Sequence, residues 1–366
     1  PMNTAIDHHP TDILRPAEFV LPGHPDTLAD AIADRIVCAA SRRERRALVG
    51  VEVAVHRNVV FIDGRVACRD AESIDFARIA KDVYRSVGYC GRFPPAPHRL
   101  RVRTDLALGP LLPGEAEFRE VSDDQSIVTG YACSTPGTDM LPVEQAMVKR
   151  LARALDSLRR SAKELALGPD GKVLVLVRED VDRPDAPPRW SLEQVTVSIQ
   201  HAADWDALAA HAAIDARLRR EAAALAAVVP GLSLAPTLDL RINPIGDFVV
   251  GGPYGDNGLS GKKLVMDAYG PRVPIGGGAT AGKDRWKVDR YGPKLARRMA
   301  VDAVLRRGYR ECTVTLAISP GDRRFRVASI HGSPTPVDAA SWAAHRQELE
   351  PAIVAGITSP LSGDTP

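Results

Sequence analysis

Apolar residues along this chain fall into a repeating series of helical and strand patterns. In residues 23–40, Leu28, Ile32, Ile36 and Ala39 keep helical spacing, with Pro25 near the start, where its missing N–H costs nothing. Two β runs follow, 48–56 and 59–68, joined tightly through Arg57 and Asn58 as a hairpin. Residues 70–88 return to helical spacing (Ile74, Phe76, Ile79, Val83), and 100–106 to strand. The order of helix, hairpin, helix and strand then recurs. A helix at 142–161 precedes β runs at 172–179 and 193–201, an alanine-rich helix at 205–229 and a strand at 241–250. The last third gives a helix at 293–308, strands at 311–319 and 324–331, and a helix near 339–354. The repeated order predicts an α+β fold of three units, each a β-sheet covered by helices. The expected units are 17–115, 116–250 and 251–356, interleaved and with approximate boundaries, between flexible ends at 1–16 and 357–366.

Composition narrows the function. The 366 residues carry 48 basic and 46 acidic side chains, a balance that argues against a nucleic-acid footprint or an acidic tail. Aromatic residues make up 5%, too few for a stacking platform for single strands. No run of eighteen apolar residues and no charged-then-apolar start is present, so a cytoplasmic protein without a membrane partner is expected. The five cysteines, Cys38, Cys68, Cys90, Cys133 and Cys312, are widely spaced and read as core thiols.

Candidate chemistry concentrates in residues 251–289, where ten of 39 positions are glycine. Glycine lets backbone approach a ligand closely. Four lysines stand in two groups, Lys262 with Lys263 and Lys283 with Lys287, among Asp256, Asp267, Asp284 and Asp289. Lysines supply point charges for phosphate and carboxylates can hold the accompanying magnesium, so the segment reads as a polyphosphate site. The alternative is a glycine-rich surface loop with scattered charge. Upstream, Asp26, Asp30 and Asp34 recur every four residues and share one helix face. Such a stripe repels itself unless cations or protein partners offset it, or unless it is simply a solvated face.

Four segments together resemble the S-adenosylmethionine synthetase (methionine adenosyltransferase) family: GHPDTLADAIAD at 23–34, DQSIVTGYA at 124–132, NPIGDFVVGGPYGD at 243–256, and the glycine-rich stretch at 258–289 with GGGATAGKD. GGPYGD with GGGATAGKD is specific; GHPD alone is not. The resemblance spans residues 18–319. It implies three α+β units related by a pseudo-threefold axis, and a homodimer, or a tetramer, with active sites at the subunit interface. The implied reaction is transfer of adenosine from ATP to methionine: sulfur attacks C5′, the whole triphosphate leaves, and it is hydrolysed before release. Magnesium and potassium would be the cofactors.

The same resemblance implies residue roles. His24 would support departure of the triphosphate, by donating a hydrogen bond to the ribose or leaving oxygen. Asp26 and Asp289 would attend magnesium, and Glu52 potassium. Asp170, Lys172, Phe248, Lys262, Lys263, Lys283 and Lys287 would hold ATP, with Phe248 packing on adenine. Asp124 and Asp256 would hold the amino-acid acceptor. Among these, His24, Lys263, Lys283 and Asp256 would form the catalytic group.

The chain also departs from the family pattern. Thr27 replaces a lysine, and Arg65 stands where a glutamate would touch methionine, inverting a charge. TDLALGP at 104–110 lacks the family's glutamine, Asp247 replaces an arginine, and DDQS at 123–126 lacks both glycines of GDQG. The tail motif with histidine and phenylalanine is replaced by SPLSGDTP. The nucleotide side is therefore better kept than the acceptor side. Arg65 would face the acceptor's carboxylate, or point to solvent if the hairpin register shifts. A relative using another nucleophile or water, and a non-catalytic partner of an active homologue, stand as alternatives. Residues 92–122 are the expected lid.

Overall fold

Each repeated block builds most of one sheet, and each sheet is completed by a strand from another block. The computed structural model describes residues 12–181 and 188–334. In the first block, β2 (Leu48–His56) and β3 (Val59–Ala67) form an antiparallel hairpin, and α2 (Phe76–Val87) carries the chain across to β4 (Arg101–Gly109), parallel to β3. A parallel neighbour needs such a crossover. The second block repeats the arrangement with β6 (Leu167–Asp180), β7 (Arg189–His201), α4 (Ala207–Ala226) and β8 (Leu232–Ile242). In the third, β10 (Tyr309–Ile318) and β11 (Arg326–Pro334) form the hairpin. Helices α1 (Pro25–Arg43), α3 (Val143–Ser161) and α6 (Val288–Arg307) precede the three hairpins, α6 following the single turn α5 (Leu264–Asp267).

The remaining strands are exchanged in a cycle. From the first block, β1 (Asp12–Val20) pairs with β6; from the second, β5 (Ser126–Cys133) pairs with β10; from the third, β9 (Gly258–Leu259) pairs with β2. The sheets among the described residues are thus β4-β3-β2-β9, β1-β6-β7-β8 and β11-β10-β5. Each sheet has its own core. In the first, Val49, Val51, Val53 and Val55 of β2 point one way and bury against Leu28, Ile32 and Ile36 of α1. That alternation leaves Gly50, Glu52 and Ala54 on the opposite face.

Several sequence expectations change. Residues 12–16, expected in a flexible end, begin β1, whose register pairs Asp12 with Asp180 and Pro16 with Leu176. Pro16 has no N–H to give, and β1 tolerates it because it is an edge strand. The strand expected at 241–250 lies upstream instead, ending at Ile242. Asn243 then turns with φ of 45°, and its side chain replaces the ladder: Oδ1 accepts from Ile199 N and Nδ2 donates to Ile199 O. Helix α2 starts only at Phe76, after Asp75 caps it through Arg78 N. Helix α6 starts at Val288, so Pro293 lies inside it. The helix expected near 339–354 and the end at 357–366 lie outside the described residues.

The segment between β4 and β5 crosses from the first sheet to the third under close restraint. Arg119, fully buried, meets Asp284 at 2.7 Å, and the other Asp284 oxygen accepts from Val49 N at 2.8 Å. Replacing Arg119 with Met leaves a buried carboxylate without its cation and is expected to cost about 3 kcal/mol. Urea unfolding measures this; a loss below about 1 kcal/mol would show that the pair is not what fastens the segment.

Candidate functional site

The first turn of α1 organises one cluster. His24 is the N-cap, with extended backbone, and its Nδ1 accepts from Asp26 N at 3.2 Å. Nδ1 as acceptor places the ring proton on Nε2. Burial pulls the His24 imidazole down to about 4, against the raising effect of Asp26, so the ring is neutral near pH 7. Asp26 is fully buried. Its Oδ1 accepts from Leu259 N at 3.0 Å and lies 3.8 Å from Lys262 Nζ; its Oδ2 lies 3.0 Å from Lys263 Nζ.

The acidic stripe of α1 is not a solvated face. Asp30 Oδ1 accepts from Gly261 N at 2.7 Å, and Asp34 Oδ1 from Gly282 N at 3.1 Å with Arg290 beside it. All three aspartates therefore grip the glycine-rich segment. Gly282 is required at its position: φ is +74°, and a Cβ there would lie 2.1 Å from Val51 O.

A second group adjoins His24 through backbone. A Cβ on Gly23 would lie 2.3 Å from Pro169 O, so the His24 turn presses on the strand that carries Asp170. Asp170 Oδ2 accepts from Gly252 N at 2.7 Å, and burial pushes its carboxyl up to about 6 despite that bond. Tyr89 donates to Gly23 O at 2.6 Å and abuts Gly252. Phe248 packs beside Gly251, and Lys172 pairs with Glu18 at 3.2 Å. Lys172 and Asp256 both act electrostatically on His24. The fold thus brings together His24, Asp26, Asp170, Lys172, Phe248, Asp256, Lys262 and Lys263.

The other lysine pair has different partners. Lys283 forms a bridge to Gly50 of β2, whereas Leu259, next to Asp26, pairs with Ala54. Gly50 and Ala54 are about 14 Å apart along the strand, and the chain from Leu259 runs back toward Gly50, since Ser260 N donates to Val53 O. Lys283 Nζ binds Asp289 Oδ2 at 2.6 Å, and Ser126 donates to Asp289 Oδ1 at 2.6 Å. Lys287 pairs with Asp123, one residue before the exposed Asp124. Glu52 is exposed on the open face of β2 and accepts from Ser260 Oγ at 2.6 Å. Asp26 meets Lys262 and Lys263, whereas Asp289 meets Lys283 and Ser126.

Asp26 Oδ2 is buried and already meets Lys263 Nζ at 3.0 Å, so a metal would take that oxygen only in exchange for the lysine. Among the described residues, no group of three or more His, Cys, Asp or Glu could hold an ion alone.

Three domain models of one family match in series: the S-adenosylmethionine synthetase N-terminal domain over residues 12–97, the central domain over 119–248 and the C-terminal domain over 250–333. A protein of Rhodospirillum rubrum described as S-adenosylmethionine synthase 1 is 33% identical over 361 residues, covering 94% of this chain and 88% of the relative. S-adenosylmethionine synthase of Gloeobacter violaceus is 32% identical over 338 residues, covering 84% and 77%. The chain belongs to the S-adenosylmethionine synthetase family.

As an S-adenosylmethionine synthetase family member, the chain has absorbed its departures in specific ways. Arg65 turns its donors inward: Nε and Nη2 bind Glu115 at 3.0 and 2.9 Å, Nη1 donates to Ala107 O and Nη2 to Pro110 O. Asp123 neutralises Lys287. Thr27 lines an apolar groove with Phe19, Ala152 and Met266, and Asp247 is exposed, 3.7 Å from His201 Nε2. Sequence reasoning missed Gln200 and His201, which are buried beside Phe248. The signal was two polar residues in succession ending the alternation Val195, Val197, Ile199. Among the described residues, no helix is long and apolar enough to cross a membrane.

Asp30 gives a test of the stripe. Burial raises its carboxyl to about 7, well above the unfolded value, so the folded state is stabilised fully only below the unfolded pKa. That stability is lost as pH rises through 7. Asp30→Asn keeps an acceptor for Gly261 N without the charge. Its stability relative to wild type should rise between pH 4.5 and 8; a difference that stays flat with pH would mean that Asp30 ionises freely.

Proposed function

We propose that this chain catalyses adenosyl transfer from ATP to methionine, forming S-adenosylmethionine, followed by hydrolysis of the triphosphate. The relatives' names and the three matched domains support this reading. The observation that carries it is the neutral His24, whose Nδ1 is held by Asp26 N so that Nε2 carries the ring proton, next to an Asp26 carboxylate met by Lys262 and Lys263. A fixed donor next to two lysines suits a leaving group that gains negative charge as the C5′–O bond breaks. Asp170 and Phe248 would hold the ribose and base, and Asp124 and Asp256 the acceptor. Magnesium, bound at Asp26 and in the complete site at Asp289, would screen the phosphates, and Glu52 would attend potassium.

The complete site is inferred to take Lys283, Lys287, Asp289 and Asp124 from a second protomer, because the family resemblance implies active sites at a subunit interface. The homodimer is part of the proposal. In the isolated chain Lys262 and Lys263 share Asp26, Lys283 meets Asp289 and Lys287 meets Asp123, and a triphosphate would exchange those carboxylates for phosphate oxygens.

Arg65 favours a second reading of the acceptor alone. The cation is paired with Glu115, so the chain offers no carboxylate at position 65, and a different thioether or nucleophile would then be used.

Incubation with ATP, magnesium and potassium, with and without methionine, followed by mass separation of products, tests the reaction. Methionine-dependent S-adenosylmethionine with phosphate and diphosphate supports the first reading; ATP consumption without it supports the second; no turnover points to a binding partner. His24→Asn should lose at least about 100-fold in product formation while still binding ATP. An unchanged rate would remove His24 from the chemistry. Lys283→Ala should weaken the thermal stabilisation given by ATP. Co-expressing His24→Asn with Lys283→Ala chains should restore part of the activity if the site is shared between protomers. A mixture no more active than the homodimers of either variant would place both residues in one chain's site.

A further inference from the structure

The loop that follows β8 is held by side chains of β7 that no part of the proposed reaction uses. His201 is 1% exposed and bonds Phe248 twice: its backbone N donates to Phe248 O at 3.1 Å, and its ring Nε2 accepts from Phe248 N at 2.9 Å. The other ring nitrogen, Nδ1, is 3.0 Å from Ala202 O, a carbonyl that can only accept. The two contacts together require a neutral ring protonated on Nδ1. The indole of Trp205 stacks on this imidazole with centroids 3.7 Å apart and planes 13° apart, which fixes the ring's plane. Gln200, also 1% exposed, donates from Nε2 to Val249 O at 3.2 Å and presents Oε1 to Asp170 N at 3.4 Å. Asp170 in turn takes Gly252 N.

Three successive β7 residues thereby continue the sheet beyond the end of β8. Ile199 binds Asn243, Gln200 binds Val249, and His201 binds Phe248. Because the loop departs from strand geometry at Asn243, backbone pairing alone cannot carry the register onward. The side chains of Gln200 and His201 supply it. Asp247 and Val249 on either side of Phe248 are exposed, whereas the Phe248 amide is fastened from behind.

We propose that His201 is a positioning residue for the nucleotide: its Nδ1–H imidazole, clamped by Trp205, fixes the Phe248 loop in the shape that offers the Phe248 ring to a purine base. The proposal rests on the reading of Phe248 as the base contact. His201 touches neither substrate nor reacting atoms and acts through the loop.

The test separates base from phosphate. Calorimetric titration with a non-hydrolysable ATP analogue is compared with titration with inorganic tripolyphosphate, both with magnesium. His201→Phe keeps a ring to stack on Trp205 but leaves the Phe248 N–H without an acceptor. It should weaken the nucleotide about tenfold and tripolyphosphate by less than about twofold. His201→Gln, whose amide oxygen can take the place of Nε2, should recover most of the nucleotide affinity. Equal loss for both ligands, no loss for the nucleotide, or a Gln variant no better than Phe each overturns the proposal. Phe248→Ala distinguishes the two levels. If it spares nucleotide affinity, the base contact fails and the role of His201 with it; if it weakens the nucleotide while His201→Phe does not, only the role of His201 falls. Should His201→Phe not fold, Gln200→Met, which frees Val249 and keeps the imidazole, is titrated with the same two ligands. The same selective loss of the nucleotide is expected, and its absence overturns the proposal.

Discussion

Helix α1 carries three aspartates one turn apart, and the chain answers each with a backbone N–H from a segment 231 to 248 residues downstream. Like charges on one helix face repel, so the stripe is tolerable only with donors supplied at matching intervals. Those donors, Leu259, Gly261 and Gly282, belong to a segment lying so close to α1 and β2 that a Cβ on Gly258 would meet Pro25 C at 2.2 Å and one on Gly282 would meet Val51 O at 2.1 Å. Much else follows from this contact. It lays β9 along β2, brings Lys262 and Lys263 to Asp26, and sets Lys283 and Asp284 against Gly50 and Val49. Both candidate phosphate-binding lysine pairs are thus placed by the same helix face.

The exchange of strands extends this dependence to the whole chain. Each block lends one strand to the sheet of another, in a closed cycle through β1, β5 and β9. A sheet deprived of its borrowed strand would expose an unpaired edge. The three cores are separate, yet the sheets above them cannot be completed independently. Arg119 with Asp284, and Arg65 with Glu115, add tethers to the segment passing from the first sheet to the third.

Charge in the candidate site is arranged in advance and held in balance. Lys263, Lys283 and Lys287 each meet a carboxylate, and His24 stays neutral because burial outweighs Asp26. A polyanion entering such a site exchanges partners rather than meeting bare cations. The neutral imidazole keeps a directed N–H donor without adding a positive charge of its own. Positions that depart from the family pattern follow the same rule: Arg65 and Asp123 both found partners of opposite charge within the chain.

Local pattern was enough for the helices, the hairpins and the threefold repetition, because 3.6- and 2-residue periodicities express which side of each element is buried. The family was also legible, since GHPD, GGPYGD and GGGATAGKD place rare residue combinations in a fixed order, and the same motifs supplied the candidate site residues. Long-range pairing was not. Residues 12–16 resemble a loose arm until β6 supplies their partner, and the run at 241–250 resembles a strand until Asn243 turns it away. The sequence could say that Asp26, Asp30 and Asp34 share a face, but not whether water or protein met them. Nor could it show that Lys262 and Lys263 meet Asp26 while Lys283 meets Asp289, or that His201 fastens Phe248 from behind. Those facts depend on which distant backbone groups arrive at each polar atom, a choice made when the three sheets close on one another.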